Sequence, residues 1–525
     1  MSVFIEALQQ FISQVILTCF LTILFIASLW HNFITVHFNK QPDPRDIRKS
    51  TTNIKPKKKS GHTKRFSRNS FSSLIPIEIE EDEENNIEYD HTITSGNTVH
   101  LNSTEANTIG SVPKPEVHNH HDASENPFTD LLSQEDKKLV PDLKYYYKQY
   151  NIDIEEFEIE TDDGFIIDLW HLVPLQPQTE ELKRHPILMV HGLLQSSGAF
   201  ASPGRRSLTY YLFKSGFDIW LGNNRCGLKA RWNKKNLKDK HSKWDWDLEE
   251  MVKFDLKSMV ETVLLKTGYE KLTMIAHSQG TTQGLYGLIN GEKLYKDMDF
   301  KLIDKLENFI ALAPAIYPGP LLDEKPFVRF MAMGIDVPWV FGTKSFIPLM
   351  MLMRSLSAGT KPFSFFSYIM FNYLFDWNDS LWDKVLRDRN FLFSPVHISV
   401  KLMQWWLSPD SGKISFKNGS TRMFPTDRTW FPIEDHHSED VIHLNPPRPN
   451  SSDYPRLMMF IPRQDRLVDG ERLINHFINH EANAVYKIWY IDEYSHLDVL
   501  WAHDVIERIG KPIVDHIRLM PESEV

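Results

Sequence analysis

Hydrophobic and polar positions divide the chain into three stretches. From Phe11 to Trp30 (FISQVILTCFLTILFIASLW), 20 residues run without a charge, 15 of them apolar. As a helix, that length crosses a hydrocarbon core of about 30 Å. A cleaved signal peptide would want a basic leading segment, a shorter apolar core and a small-residue cleavage site. Here Glu6 precedes the stretch and Trp30-His31-Asn32 closes it. The pattern predicts an uncleaved membrane anchor over residues 1–38, spanning about 11–30, rather than a signal peptide or a buried core helix. Residues 39–139 hold no sustained period of 3.6 or 2 and are rich in Ser, Thr, Asn and Pro, the mark of a disordered linker.

From residue 140 to 525 the order changes. Phe165–Trp170, after the turn Asp162-Asp163-Gly164, predicts one strand of a hairpin. Short apolar runs follow: PILMV from Pro186, FDIWL from Phe217, LTMIA from Leu272, FIALA from Phe309, LMMFI from Leu457 and YKIWY from Tyr486. Such runs, alternating with helical patterns, suit a mostly parallel sheet covered on both faces. The fold class is α/β.

Composition and charge narrow the function. The chain has 525 residues, 42% hydrophobic and 12% aromatic, enough for a large core. A net charge of −10 argues against a general nucleic-acid binder. Two cysteines, Cys19 and Cys226, exclude a disulfide scaffold. The 22 histidines show no HExxH or comparable spacing, so neither metal nor other cofactor is expected. Between Lys40 and Arg68 stand 11 basic residues against 2 Asp. By the positive-inside rule that run keeps the long C-terminal portion in the cytosol, and it could also hold to anionic lipid. Sequons at Asn102, Asn378, Asn418 and Asn450 point the other way, although such tripeptides arise often by chance. Eight carboxylates from Glu78 to Asp90 read as a solvated linker, with an intramolecular latch or partner site as the alternative.

The residues that carry chemistry stand at strand ends. Ala276-His277-Ser278-Gln279-Gly280 lies between the run LTMIA and a helical stretch, Thr281–Leu294. That is the strand–turn–helix setting of a nucleophile elbow, which needs small residues two before and two after the serine. Alone the pentapeptide is ordinary turn chemistry; its setting favours a nucleophile. His191-Gly192-Leu193-Leu194 follows PILMV, where a loop can supply an oxyanion amide. The candidates are the backbone amides of Leu193 and Gln279, against a plain turn. A serine needs a base, and the base an orienting carboxylate. Asp465 follows LMMFI and His496 follows YKIWY, in the chain order Ser, Asp, His. Asp469 competes with Asp465 but lies farther from its strand. His503 competes with His496 but falls in an expected helix.

HGLLQSSGAF, FDIWLGNNRCGLKARWN, AHSQGTTQG, FIALAPA and YSHLDVLWAHD together resemble the acid lipase family of α/β-hydrolases over about Tyr145–Pro512. Gastric and lysosomal acid lipases belong to that family. The chain is most similar to its membrane-anchored fungal steryl ester hydrolases, the plasma-membrane branch above all. The resemblance implies a nucleophile at Ser278, an acid at Asp465, a base at His496 and an oxyanion hole at Leu193 and Gln279. It also implies a helical cap inserted over about 315–450. There are departures: Ala276 stands where the pattern has Gly, and NNRCG where the animal enzymes tend to have NSRGN. The animal disulfide cannot form, which counts against a secreted, acid-resistant life. Residues 327–376 hold 9 of the 33 Phe and 6 of the 17 Met. Such a stripe is either core or a greasy surface for acyl and sterol groups, and Trp405 and Trp406 belong to the same expected cap.

The implied activity is hydrolysis of steryl esters, with the lipid bilayer as partner through the anchor. A triacylglycerol lipase with the same triad and a catalytically silent membrane-tethered scaffold remain open. A single span suits a plasma membrane better than a droplet monolayer.

Overall fold

Runs that are apolar at consecutive positions become the centre of one sheet. The computed structural model describes residues 2–37, 77–80, 135–176, 183–237, 243–337, 339–342, 344–419, 423–431, 454–481 and 484–519. Among these, strands β1 (Ile77–Glu80), β2 (Ile152–Glu160), β3 (Ile166–Pro174), β4 (Pro186–Val190), β5 (Asp218–Gly222), β6 (Leu272–His277), β7 (Leu306–Leu312), β8 (Arg456–Pro462) and β9 (Val485–Ile491) form one sheet. Its order is β1-β9-β8-β7-β6-β4-β5-β3-β2. The pairs from β1 to β5 are parallel, and β5–β3 and β3–β2 are antiparallel. The α/β-hydrolase arrangement follows from how these strands are buried. Leu188 and Val190 face one core cluster while Ile187 and Met189 face the other. A strand covered on both faces has no polar position to alternate with, hence PILMV.

β2 escapes a search for apolar runs because its nine residues, IDIEEFEIE, hold four Glu. Period-two alternation, broken once at Glu155-Glu156, marks it instead, and it pairs with β3 across the turn that ends in Gly164 at φ 90°. β1 departs from the expected disordered linker. Ile77–Glu80 alternates Ile with Glu, the period of an edge strand, and its backbone covers the free edge of β9. The rest of that linker up to residue 134, with the basic run, most of the acidic block and Asn102, lies outside the described residues, as does Asn450.

The helices used below are α1 (Ser2–His37), α2 (Gln279–Ile289), α3 (Pro326–Gly334), α4 (Pro348–Ser357), α5 (Lys361–Phe375), α6 (Val400–Leu407) and α7 (Gly470–His480). α3 to α6 all stand between β7 and β8 and form a cap over the C-terminal edge of the sheet. α3, α4 and α5 each start with Pro in the first turn, where its missing N–H costs nothing. α1 is one uninterrupted helix, long and apolar enough to cross a membrane, which fits a membrane anchor.

Candidate active site

The turn after β6 is held in a conformation that side chains rarely adopt. Ser278 has φ 51° and ψ −115°, a strain of about 1–3 kcal/mol that the surroundings must offset. They do so with fixed hydrogen bonds. Ser278 N donates to Leu312 O at 3.1 Å. Thr281 Oγ1 donates to Ser278 O at 2.6 Å and accepts from Ala315 N at 3.0 Å. Ala276 is buried in register with Val190 and Ala311, so its methyl fits where the general pattern has Gly.

Ser278 Oγ donates to His496 Nε2 at 2.8 Å, and His496 Nδ1 donates to Asp465 Oδ2 at 2.6 Å. Asp465 Oδ1 accepts from the amides of Leu467 at 2.9 Å and Val468 at 3.3 Å, which fixes the carboxylate against the ring. The structure therefore brings together the three side chains nominated from sequence. It sets both competitors aside. Asp469 caps α7 by accepting from Arg472 N. His503 is not helical as expected: it stands in a turn between two short helical segments, its Nδ1 on Leu381 O at 2.9 Å.

Gln279 follows Ser278 directly, and Gly192, which precedes Leu193, lies against it: a Cβ there would stand 3.1 Å from Ser278 Cβ. Gln279 opens α2, and the first amides of a helix lack an intrahelical acceptor. The helix dipole adds positive potential there. Leu194 at φ 60° turns the preceding loop. His191 orients it: its Nδ1 donates to Gly192 O at 2.8 Å, and its Nε2 accepts from Asn224 N at 3.1 Å. Asn224 belongs to NNRCG, whose residues brace the site. Asn223 Oδ1 accepts from Ser197 N and Oγ. The buried Arg225 pairs with Asp255 and Asp163.

Burial pushes His191 down to about 4 and holds His277 well below the usual imidazole range. His277, kept neutral, meets His496 O through Nε2 at 3.2 Å. Beyond His496, Asp498 accepts from Ser495 N and Oγ on Oδ2 and from Trp382 Nε1 on Oδ1. Burial pushes that carboxyl up to about 6. A serine proton can thus pass to an imidazole held in one tautomer by a fixed carboxylate. That is the equipment for acyl transfer.

The cap roofs this site. Ser278 is 7% and His496 2% exposed. Trp406 Nε1 donates to Gln279 Oε1 at 2.9 Å, so the Trp pair sits in the cap core against the elbow. The Trp377 ring lies parallel to His496 at 5.5 Å, backed by Phe371 and Phe375. Trp377 lies just outside the aromatic stretch 327–376, and a lone Trp past that run is the only sign of it in the sequence. Beside it, Lys325, Phe327, Tyr373, Asp376 and Arg466 line a cleft of about 380 Å³.

His191 yields a pH prediction. Its folded value lies below the unfolded 6.5, so its contribution to stability is full above 6.5 and is lost as pH falls toward 4. The loss amounts to about 3 kcal/mol. His191→Phe should unfold more readily at pH 7, because Asn224 N loses its acceptor. Its thermal midpoint should nevertheless fall less steeply between pH 7 and about 4.5 than the parent's. An equal slope in both would show that His191 does not carry this dependence.

Comparison with known proteins agrees with the architecture. Residues 143–204 match the partial α/β-hydrolase lipase region, and residues 185–291 match the α/β hydrolase fold. Sterol esterase 2 of Saccharomyces cerevisiae is 63% identical over 529 residues, covering 98% of each chain. Human gastric triacylglycerol lipase is 26% identical over 377 residues, covering 69% of this chain and 87% of its own.

Proposed function

The chain belongs to the acid lipase family of α/β-hydrolases, and from that premise we propose that it is a membrane-anchored steryl ester hydrolase. It cleaves steryl esters to free sterol and fatty acid through an acyl-enzyme at Ser278. The substrate class is carried by one observation: the 63% identity to a sterol esterase extends over 98% of both chains and so includes the cap. The cap shapes the pocket, and pocket shape separates one leaving alcohol from another.

In the proposed mechanism His496, held in its tautomer by Asp465, takes the Ser278 proton as Oγ attacks the ester carbonyl. The Leu193 and Gln279 amides stabilise the oxyanion. His496 then gives the proton to the departing sterol oxygen, and water activated by the same ring releases the fatty acid. Supporting this reading are the 2.8 Å and 2.6 Å contacts at His496 and the strained elbow.

The membrane is the cytosolic leaflet of the plasma membrane. The basic run from Lys40 to Arg68 directly follows the helix and suits anionic inner-leaflet lipid. Asn418, one of the sequons, has its amide committed to Asp410 O and Lys413 O, which supports a domain that is not glycosylated there.

Membranes carrying the protein, given a long-chain steryl ester and a triacylglycerol side by side, should release free sterol faster than diacylglycerol. Diacylglycerol release alone would move the substrate to glycerol esters. Release of neither would return the chain to a tethered scaffold.

A further inference from the structure

α1 does not stand apart from the domain it anchors. Ser13, Leu17, Phe20, Leu24 and Ser28, spaced three or four apart, form one buried stripe. Phe20 meets Phe327, Phe330 and Phe341 with ring centroids 5.7–5.8 Å apart. Farther along, Phe25 meets Phe366 at 4.7 Å and His31 meets Tyr373 at 5.5 Å. Near the other end, Gln10 and Gln14 line a cleft with Lys344 and His397. From Gln10 to His31 the cap follows the helix for about 30 Å, the thickness of a hydrocarbon core.

Length alone suggests that α1 crosses the membrane. Lengthwise docking argues against it. A perpendicular α1 would draw the cap through the hydrocarbon and carry the exposed Arg329, next to the Phe330 that stacks on Phe20, to about mid-depth, where a charge is most costly. We propose that α1 instead lies in one membrane leaflet, seated along the cap, and that the exposed apolar edge of the cap enters the same leaflet beside it.

A helix that is apolar all round needs an apolar partner on every side. The cap covers the buried stripe, while Phe11, Val15, Ile23, Ile26 and Trp30 remain exposed. That exposure continues onto the cap. Phe330 and Met333 of α3, Leu352, Met353 and Leu356 of α4, and Phe365 of α5 are 38–79% exposed. Phe330 stacks on Phe20, and Phe365 packs on Phe366, which meets Phe25. One apolar surface therefore runs from the anchor onto the helices that roof the site, larger than scattered surface residues make. Lipid is the occupant because the basic run beginning at Lys40 follows α1 at once and favours an anionic headgroup layer on the same side. The seat rests on the lipase reading only in giving a neutral lipid a route to the cleft without passing through water.

The test uses the full chain with Cys19→Ser, which leaves the buried Cys226 as the sole native thiol. Leu356→Cys, at 79% exposure, is labelled with an environment-sensitive fluorophore and reconstituted into phosphatidylcholine–phosphatidylserine vesicles. Emission should shift to the blue and be quenched by nitroxides on the lipid acyl chains. Emission unchanged from that in buffer, quenched by aqueous iodide, would overturn the proposal. An N-terminal tag should be cut by added protease on the same vesicles whose catalytic part is cut. A tag that stays protected while the catalytic part is digested would show a crossing helix and overturn it too. Both readouts are independent of hydrolysis, so failure of the seat and failure of the steryl ester reading are separable.

Discussion

Ser278→Ala is expected to lower ester turnover by about 10⁴-fold or more while leaving the fold intact. The substitution removes one oxygen, whose bond in the structure is to His496 Nε2. The elbow is held by the Ser278 backbone, through Leu312 O and the Thr281 hydroxyl, and alanine keeps both. The thermal midpoint should therefore move by no more than a few degrees. His496→Ala should cost a similar factor, and the double variant little more than either alone, because the members of such a unit act together. A water-soluble short-chain ester is the right first substrate, since it isolates the chemistry from lipid access. Turnover within tenfold of the parent for Ser278→Ala would remove the serine from the mechanism.

Gly280→Ala is the second large effect, and it works through backbone. A Cβ there would stand 2.5 Å from Val190 O and 3.0 Å from His191 O. Neither carbonyl can swing aside as a side chain could: one ends β4, the other begins the loop that carries Leu193. The end of β4 and the start of α2 must part, at about 1–3 kcal/mol or more. The Leu193 amide would then move relative to Ser278, and a misplacement near 1 Å costs about 100-fold in rate. Gly291→Ala is the control, because its nearest neighbour would be Tyr295 at 3.7 Å. Turnover and thermal midpoint measured on both should fall together for Gly280→Ala and hold for Gly291→Ala. Equal behaviour of the two would show that the close approach of strand and helix does not set the site.

These two positions show why so much was legible in the sequence. An elbow demands small residues at fixed offsets, and β4, β6, β7 and β8 are buried on both faces, so the strands, and the placement of Ser278, Asp465 and His496 beyond strand ends, can be read as a string. What escaped followed other rules. β2 hides behind its glutamates, because its apolar residues change face midway, Ile152 and Ile154 packing into one core cluster and Phe157 and Ile159 against the other. β1 hid in a stretch whose composition reads as linker. Trp377 carries no motif, and its place on His496 exists only once α5 has turned at Asp376, φ 56°. The stripe from Ser13 to Ser28 looks like any part of an apolar helix until the cap is set against it.

In the proposed reaction a lipid ester acylates Ser278. A long-chain alkyl phosphonate, which leaves a stable adduct on an activated serine, tests it directly in membranes carrying the full chain. Mass spectrometry should find the adduct on the peptide bearing Ser278. Prior incubation with a long-chain steryl ester should suppress it, as should His496→Ala. An adduct on another residue, or undiminished hydrolysis with Ser278 fully modified, would contradict the account.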